Sequence, residues 1–210
     1  MKKIVLICMA LVLALGGLGV GYAAWTDTVY IEQTVETGTV SIGFSKISTD
    51  EPFGEFEGKD VGSIDGWLTG EVKGTIEYAG VPTNVYEKAQ VLMANAYPCY
   101  QTAVFIDVAN VGTIPIYING MDISMVEVDE FGTVIDTLTW VWDVVGSSGH
   151  FEDGGGNIIL SMDVVNLVGD QIHPGLKNAV EFDFHVKQPA KQSATYMITI
   201  SVTGIQWNKA

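Results

Sequence analysis

Arginine is absent, and ten lysines face 25 acidic residues, leaving a net charge of −15. Nucleic-acid binding needs clustered cationic side chains, so it is excluded. Cysteine is nearly absent. Cys8 lies in the first apolar run and Cys99 stands alone after it. No internal disulfide and no cysteine-based zinc site is expected. A buried apolar thiol is the expected role of Cys99, with pairing between chains as the alternative. The three histidines, His150, His173 and His185, form no HExxH and no pair at helical spacing. A Gly-x-Ser-x-Gly elbow is also missing. The stretch Asp153-Gly154-Gly155-Gly156-Asn157 lacks the lysine and following helix that a phosphate cradle requires. With no nucleophile–base pair or metal-ligand constellation in view, a secreted hydrolase is the least favoured class, and no enzyme activity is expected.

The chain opens on Met1-Lys2-Lys3 and then carries no charge from residue 4 to residue 25. Ile4 to Leu15 are nearly all apolar, Gly16, Gly17, Gly19 and Gly21 follow, and Tyr22-Ala23-Ala24 makes a small-residue junction. A charged start, an apolar centre and a small-residue junction predict a secretory signal over residues 1–23, removed on export. The alternative is a retained anchor, since about 20 apolar residues span a bilayer. Four glycines weaken a permanent helix. A type IV prepilin fits less well, because Lys3 runs straight into Ile4 without the small residue its processing needs. Residues 24–210 hold eight lysines and all 25 acids, a net of −17. That acidity suits a soluble surface, cation binding or both.

Beyond the junction, β-branched residues and glycine dominate. Val29, Ile31, Gln33 and Val35 alternate with Tyr30, Glu32 and Thr34, the period of two that marks a strand. Glu36-Thr37-Gly38 reads as a turn or hinge, and Val40, Ile42 and Phe44 resume the alternation. Residues 50–69, rich in glycine and acid, read as a loop, followed by a strand through Val72, Ile76 and Tyr78. In residues 83–96, Val85, Ala89, Leu92, Met93 and Ala96 fall at helical spacing, with Thr83 or Asn84 to cap and Pro98 to stop. This is the one helix expected in the body of the protein. Strands are expected again over 102–110, 111–118, 121–128, 133–145, 157–160, 163–168, 179–186 and 195–207, with loops at 146–156 and 169–175. No repeat of 20–50 residues occurs. The pattern predicts an all-β, jelly-roll-like β-sandwich with one short helix over residues 39–210.

Asp129, Glu130, Glu152 and Asp153 are the weak calcium candidates, through hard oxygen ligands. None sits in a D-x-D-x-D-G loop, and turn or solvent roles are the favoured reading. A His150–Glu152–Asp153 metal cluster would be held loosely by its glycine-rich loop. Trp140 and Trp142, two apart, share a strand face, for core packing or for sugar stacking.

Ala23-Ala24-Trp25-Thr26-Asp27 resembles the Ala-Ala-aromatic-x-Asp start of the TasA/camelysin family, exported proteins matured by a SipW-type signal peptidase. Glu36-Thr37-Gly38-Thr39-Val40-Ser41-Ile42 resembles that family's Ser-Gly-Thr-Leu-x-Leu stretch, and Ala109-Asn110-Val111-Gly112-Thr113-Ile114-Pro115-Ile116 resembles its Asn-x-Gly segment. Pro174-Gly175 before an alternating strand is similar, as is the closing Gln206-Trp207-Asn208. The fragments lie in the family's order along the chain; residues 50–100 match no part of it. Camelysin's description as a metalloprotease is not carried over, because no zinc motif is present.

The resemblance implies a secreted, cell-surface jelly roll that polymerises into extracellular fibres of the pilus or biofilm-matrix kind, with signal peptidase as its partner during export and no membrane attachment afterwards. It implies that the N-terminal strand of one copy completes the sheet of the next. Ala24, Trp25, Val29, Ile31 and Val35 would then be the donor-strand residues, and Gly38 the hinge. Burying four such side chains gains ~6–12 kcal/mol, whereas ordering about twelve backbone residues costs ~1–2 kcal/mol each. Ladder hydrogen bonds and a pre-formed apolar groove must therefore contribute. The alternatives are the same segment folded back on residues 39–47 as a hairpin, and a secreted monomeric module that binds calcium or carbohydrate. No other cofactor is expected.

Overall fold

In the computed structural model the described residues are 2–23, 38–50, 62–145, 147–165, 169 and 171–209. The proposed donor strand, with Ala24, Trp25, Val29, Ile31 and Val35, lies outside them. The chain divides into two compact units, Met1–Thr37 and Gly38–Ala210. In the first, α1 spans Lys2–Ala23. Among the described residues no helix is long and apolar enough to cross a membrane.

The second unit is all-β, of sandwich or barrel type. Its strands are β1 (Ile42–Thr49), β2 (Ser63–Tyr78), β3 (Val81–Ala96), β4 (Gln101–Asn110), β5 (Ile116–Val128), β6 (Val134–Val144), β7 (Ser148–Glu152), β8 (Ile158–Val165), β9 (Gln171–Ile172), β10 (Lys177–Val186) and β11 (Ala194–Gln206). Every pairing is antiparallel, in the order β1-β4-β10-β8-β7-β6-β5-β11-β3-β2. A bridge between Phe44 and Tyr86 joins β1 to β3 and closes the sheet into a ring. Alternation fills the interior as the period of two demands. Val180, Phe182, Phe184 and Val186 of β10 are buried, as are Ile198, Ile200 and Tyr196 of β11.

Residues 83–96 are a strand, not a helix. Ala89, Val91 and Met93 point inward at period two. A register shift against β11 between Ala194 and Tyr196, with Asn95 at φ 53°, then returns Ala96 to the core. Val85, Ala89 and Met93 fall four apart, a spacing that keeps strand parity, so this one irregularity before Ala96 completes the spacing of a helix. The expected loop over 50–69 is corrected in part: residues 63–69 already belong to β2, where Ile64 is buried and Gly66 leaves room for the Ile47 side chain. The expected loop over 146–156 contains β7, and the two short strands expected over 157–168 are the single strand β8. Cys99 is exposed rather than buried, and accepts a 3.0 Å hydrogen bond from Gln188 Nε2.

The distal halves of β2 and β3 fold over the outside of β1 and β4. There Ile76 and Val85 form a satellite cluster with Ala109 and Val111. Tyr78 lies with its ring 3.8 Å from Lys177 Nζ, and Lys177 pairs with Asp107.

Candidate functional site

β5 is the strand whose neighbours change along its length. β11 pairs with it from Ile116 to Val128 on one side. On the other side β9 covers Ile116 and Tyr117, and β6 covers Met125 to Val128. Residues 118–124 between them have no pairing on that side among the described residues. β6 shows the complementary pattern: residues 134–138 pair with β5, and residues 139–144 pair, among the described residues, only with β7. The two strands meet at Met125–Leu138 and share no pairing beyond it among the described residues; this stretch is called the seam.

The side chains flanking the fork are apolar. Met121 and Met125 on β5 and Leu138 on β6 belong to the core; Ile123, Trp140 and Trp142 pack against it while staying half-covered. Trp140 meets Trp142 edge-on with 5.0 Å between ring centres and tilts onto Phe151 at 4.7 Å. Gly149 makes this stack fit, since a Cβ there would strike the Trp140 ring. Trp140 Nε1 is buried and has no acceptor among the described residues. A buried indole N–H ordinarily finds one. Val144 and Val145 remain exposed beyond the fork. An unpaired strand edge with apolar flanks is an invitation to strand pairing.

The second unit begins along the loop between β4 and β5. Asn110, fully buried, organises that corner. Its Nδ2 donates to the carbonyls of Ile114 and Ile172, both at 2.9 Å, and its Oδ1 accepts from the Gly112 N–H at 2.8 Å. The loop so fixed holds the incoming chain. Thr113 N–H donates to the Thr39 carbonyl at 3.0 Å, Val111 N–H to the Ser41 carbonyl at 3.0 Å, and Thr39 N–H to Thr113 Oγ1 at 2.8 Å. Gly38 sits against Thr113 and Ile114, where a Cβ has no room. The closing motif meets the same corner: Gln206 pairs with Ile116, and Trp207 N–H reaches the Pro115 carbonyl at 3.3 Å. Asn208 lies in a final 3₁₀ turn, Trp207–Lys209. β1 and β10 flank β4, and β11 and β9 flank the start of β5.

The calcium candidates are scattered and occupied. Asp129 Oδ1 accepts from the N–H groups of Phe131 and Thr133 at 2.9 and 2.7 Å, and Glu130 follows it in the same turn. Asp153 binds the Gly155 N–H and both the backbone and side chain of Asn157, contacts that hold its carboxyl below the usual range, with the Asn157 side chain foremost. Glu152 faces His150 instead, as does Asp143 from β6, so Asp153 is not part of a cluster with His150. An open hollow of about 390 Å³ on the outer face collects Asp50, Asp163, Asp183, His185 and Lys187. Asp163 and Asp183 are directly opposed cross-strand partners there. Among the described residues no three ligating side chains lie close enough to hold one metal ion. Sequence reasoning missed the seam entirely, because it is a property of pairing between strands distant in the chain.

No protein-family model, curated protein or solved structure matches this chain, so the likeness to the TasA/camelysin family rests on the residue fragments quoted above.

Proposed function

We propose that the protein is the structural subunit of an extracellular filament, assembled head to tail when the N-terminal strand of one copy enters the β5–β6 seam of the next. The observation that carries this reading is the seam itself, two strand edges that have no partner across the fork among the described residues, flanked by apolar side chains. Residues 24–37 supply an occupant of sufficient reach. Fourteen residues extend to ~46 Å, whereas the seven unpaired positions of β5, residues 118–124, cover ~23 Å. Pairing of this kind is heterologous and does not close, so it gives filaments. In this reading residues 1–23 are the export signal, cleavage leaves a free strand end at Ala24, and Gly38 is the pivot. The strand winding is that of a jelly roll.

Removing residues 24–36 from the exported protein should leave a folded monomer that forms no fibres by negative-stain microscopy. Fibres from the shortened protein would end the proposal. The second reading is a monomeric calcium-binding module, for which the cross-strand pair Asp163 and Asp183 offers two ligands, with no third side chain among the described residues completing a site. Calorimetry with calcium tests it: absence of heat and of a thermal shift rejects it.

A further inference from the structure

His150 lies on β7, one strand away from the seam, and its side chain is only 12% exposed. Its Nδ1 is 2.9 Å from Asp143 and its Nε2 is 3.1 Å from Glu152. A neutral imidazole carries one N–H, so one of these contacts would set a ring lone pair against a carboxylate. The imidazolium donates to both. Asp143 occupies the position where β6 and β7 slip register, between the pairs Trp142–Gly149 and Val144–Ser148. A bulge of this kind re-aims a side chain, here toward the histidine. The other polar groups around the ring are few. Ser161 on β8 is its cross-strand partner, Asp163 lies two residues further along β8, and His185 on β10 stands beyond, 3.0 Å from Lys187 just after that strand.

We propose that His150 is a proton-operated clasp that ties the free half of β6 to β7 and so keeps the β5–β6 seam open to an incoming strand. The coupling to assembly rests on the filament reading; the clasp itself does not. Residues 139–144 have β7 as their only strand neighbour among the described residues, so the side-chain link between Asp143 and His150 adds directly to what holds that edge in place. The Asp143 hydrogen bond, joined by that of Glu152 and opposed by burial, raises the histidine's pKa. The clasp is therefore complete below the ordinary histidine value of about 6.5 and is lost as pH rises through the raised one. Each unit of elevation must appear as a tenfold change in the opening equilibrium of the β6 edge.

The test is amide hydrogen exchange of Thr139–Val144, referenced to β10 and corrected for intrinsic rates, from pH 5.5 to pH 9, beside an imidazole NMR titration of His150. Protection of β6 should fall with a midpoint at the titration of His150, by tenfold for each unit that its pKa exceeds 6.5. H150Q should show the alkaline level at every pH, and D143N should lower both the midpoint and the size of the step. Protection that ignores pH, or an unchanged step in H150Q, overturns the clasp. Fibre growth followed over the same range should slow in proportion. Growth at one rate throughout, with the exchange step present, overturns the link to the seam. An exchange step in a protein that never forms fibres supports the clasp and overturns the filament reading alone.

Discussion

Asn110 offers the sharpest test of how the corner beside the seam is built. Its amide makes three hydrogen bonds, two donated to the carbonyls of Ile114 and Ile172 and one accepted from Gly112, all at 2.8–2.9 Å and without solvent access to the side chain. Asn110→Ala removes all three and leaves those backbone groups unpaired in a site too closed for water to enter freely. At ~0.5–1.5 kcal/mol net for each bond, and more for a group stranded in the interior, the loss is about 3 kcal/mol. For a domain of this size that corresponds to a fall in Tm of roughly 6–12 °C. Asn110→Asp should be worse than alanine although its volume is conserved, because it sets a carboxylate against two carbonyl oxygens and keeps only the bond from Gly112. Guanidinium unfolding followed by tryptophan fluorescence measures both, with the midpoint expected to move and the slope to hold. A loss below ~1 kcal/mol for alanine, or an aspartate variant as stable as the parent, would refute the view that this one side chain fixes the loop.

Gly112→Ala places a methyl against the Thr39 carbonyl and 2.8 Å from the Ser41 nitrogen. It should cost ~1–3 kcal/mol and speed amide exchange at Val111 and Thr113, whereas unchanged exchange there would mean that residues 38–41 are not held by this loop. The Tyr196 hydroxyl is pushed up to about 12, first by burial and then by the charge of Glu127. An unfolded tyrosine ionises near 10, so the folded protein should lose stability as pH climbs from 10 toward 12. Absorbance at 295 nm should show one late-titrating tyrosine, and Y196F should remove both effects; eight tyrosines titrating together would count against it.

The strands most legible in the sequence are those with unbroken alternation. β10 and β11 stand where Val180–Val186 and Thr195–Trp207 predict them, because each buries one face and exposes the other. β3 was misread for the opposite reason. Its buried residues Val85, Ala89 and Met93 fall four apart, a spacing that strand and helix share, and the irregularity before Ala96 adds a step of three. β7 was hidden by composition: Ser148-Gly149-His150 reads as loop, yet Gly149 is there because the Trp140 ring occupies the space a side chain would need. The Asn-x-Gly pattern at Asn110 was visible, and its physical content, a buried amide bridging three backbone segments, was not. The seam was illegible in principle. It arises where β6 leaves β5 for β7, and single-chain periodicity carries no information on which neighbour a strand has at each residue.

The junction of β1 with β4 has a mechanical consequence. β1 runs antiparallel to β4 through seven partnered positions from Ile42 to Thr49, and residues 38–41 continue the same line along 111–113. Tension entering at Gly38 along that line loads the whole ladder lengthwise, so its bonds resist sliding together instead of peeling one after another. A cable made of such subunits would yield at the joint between molecules before any single molecule unravelled.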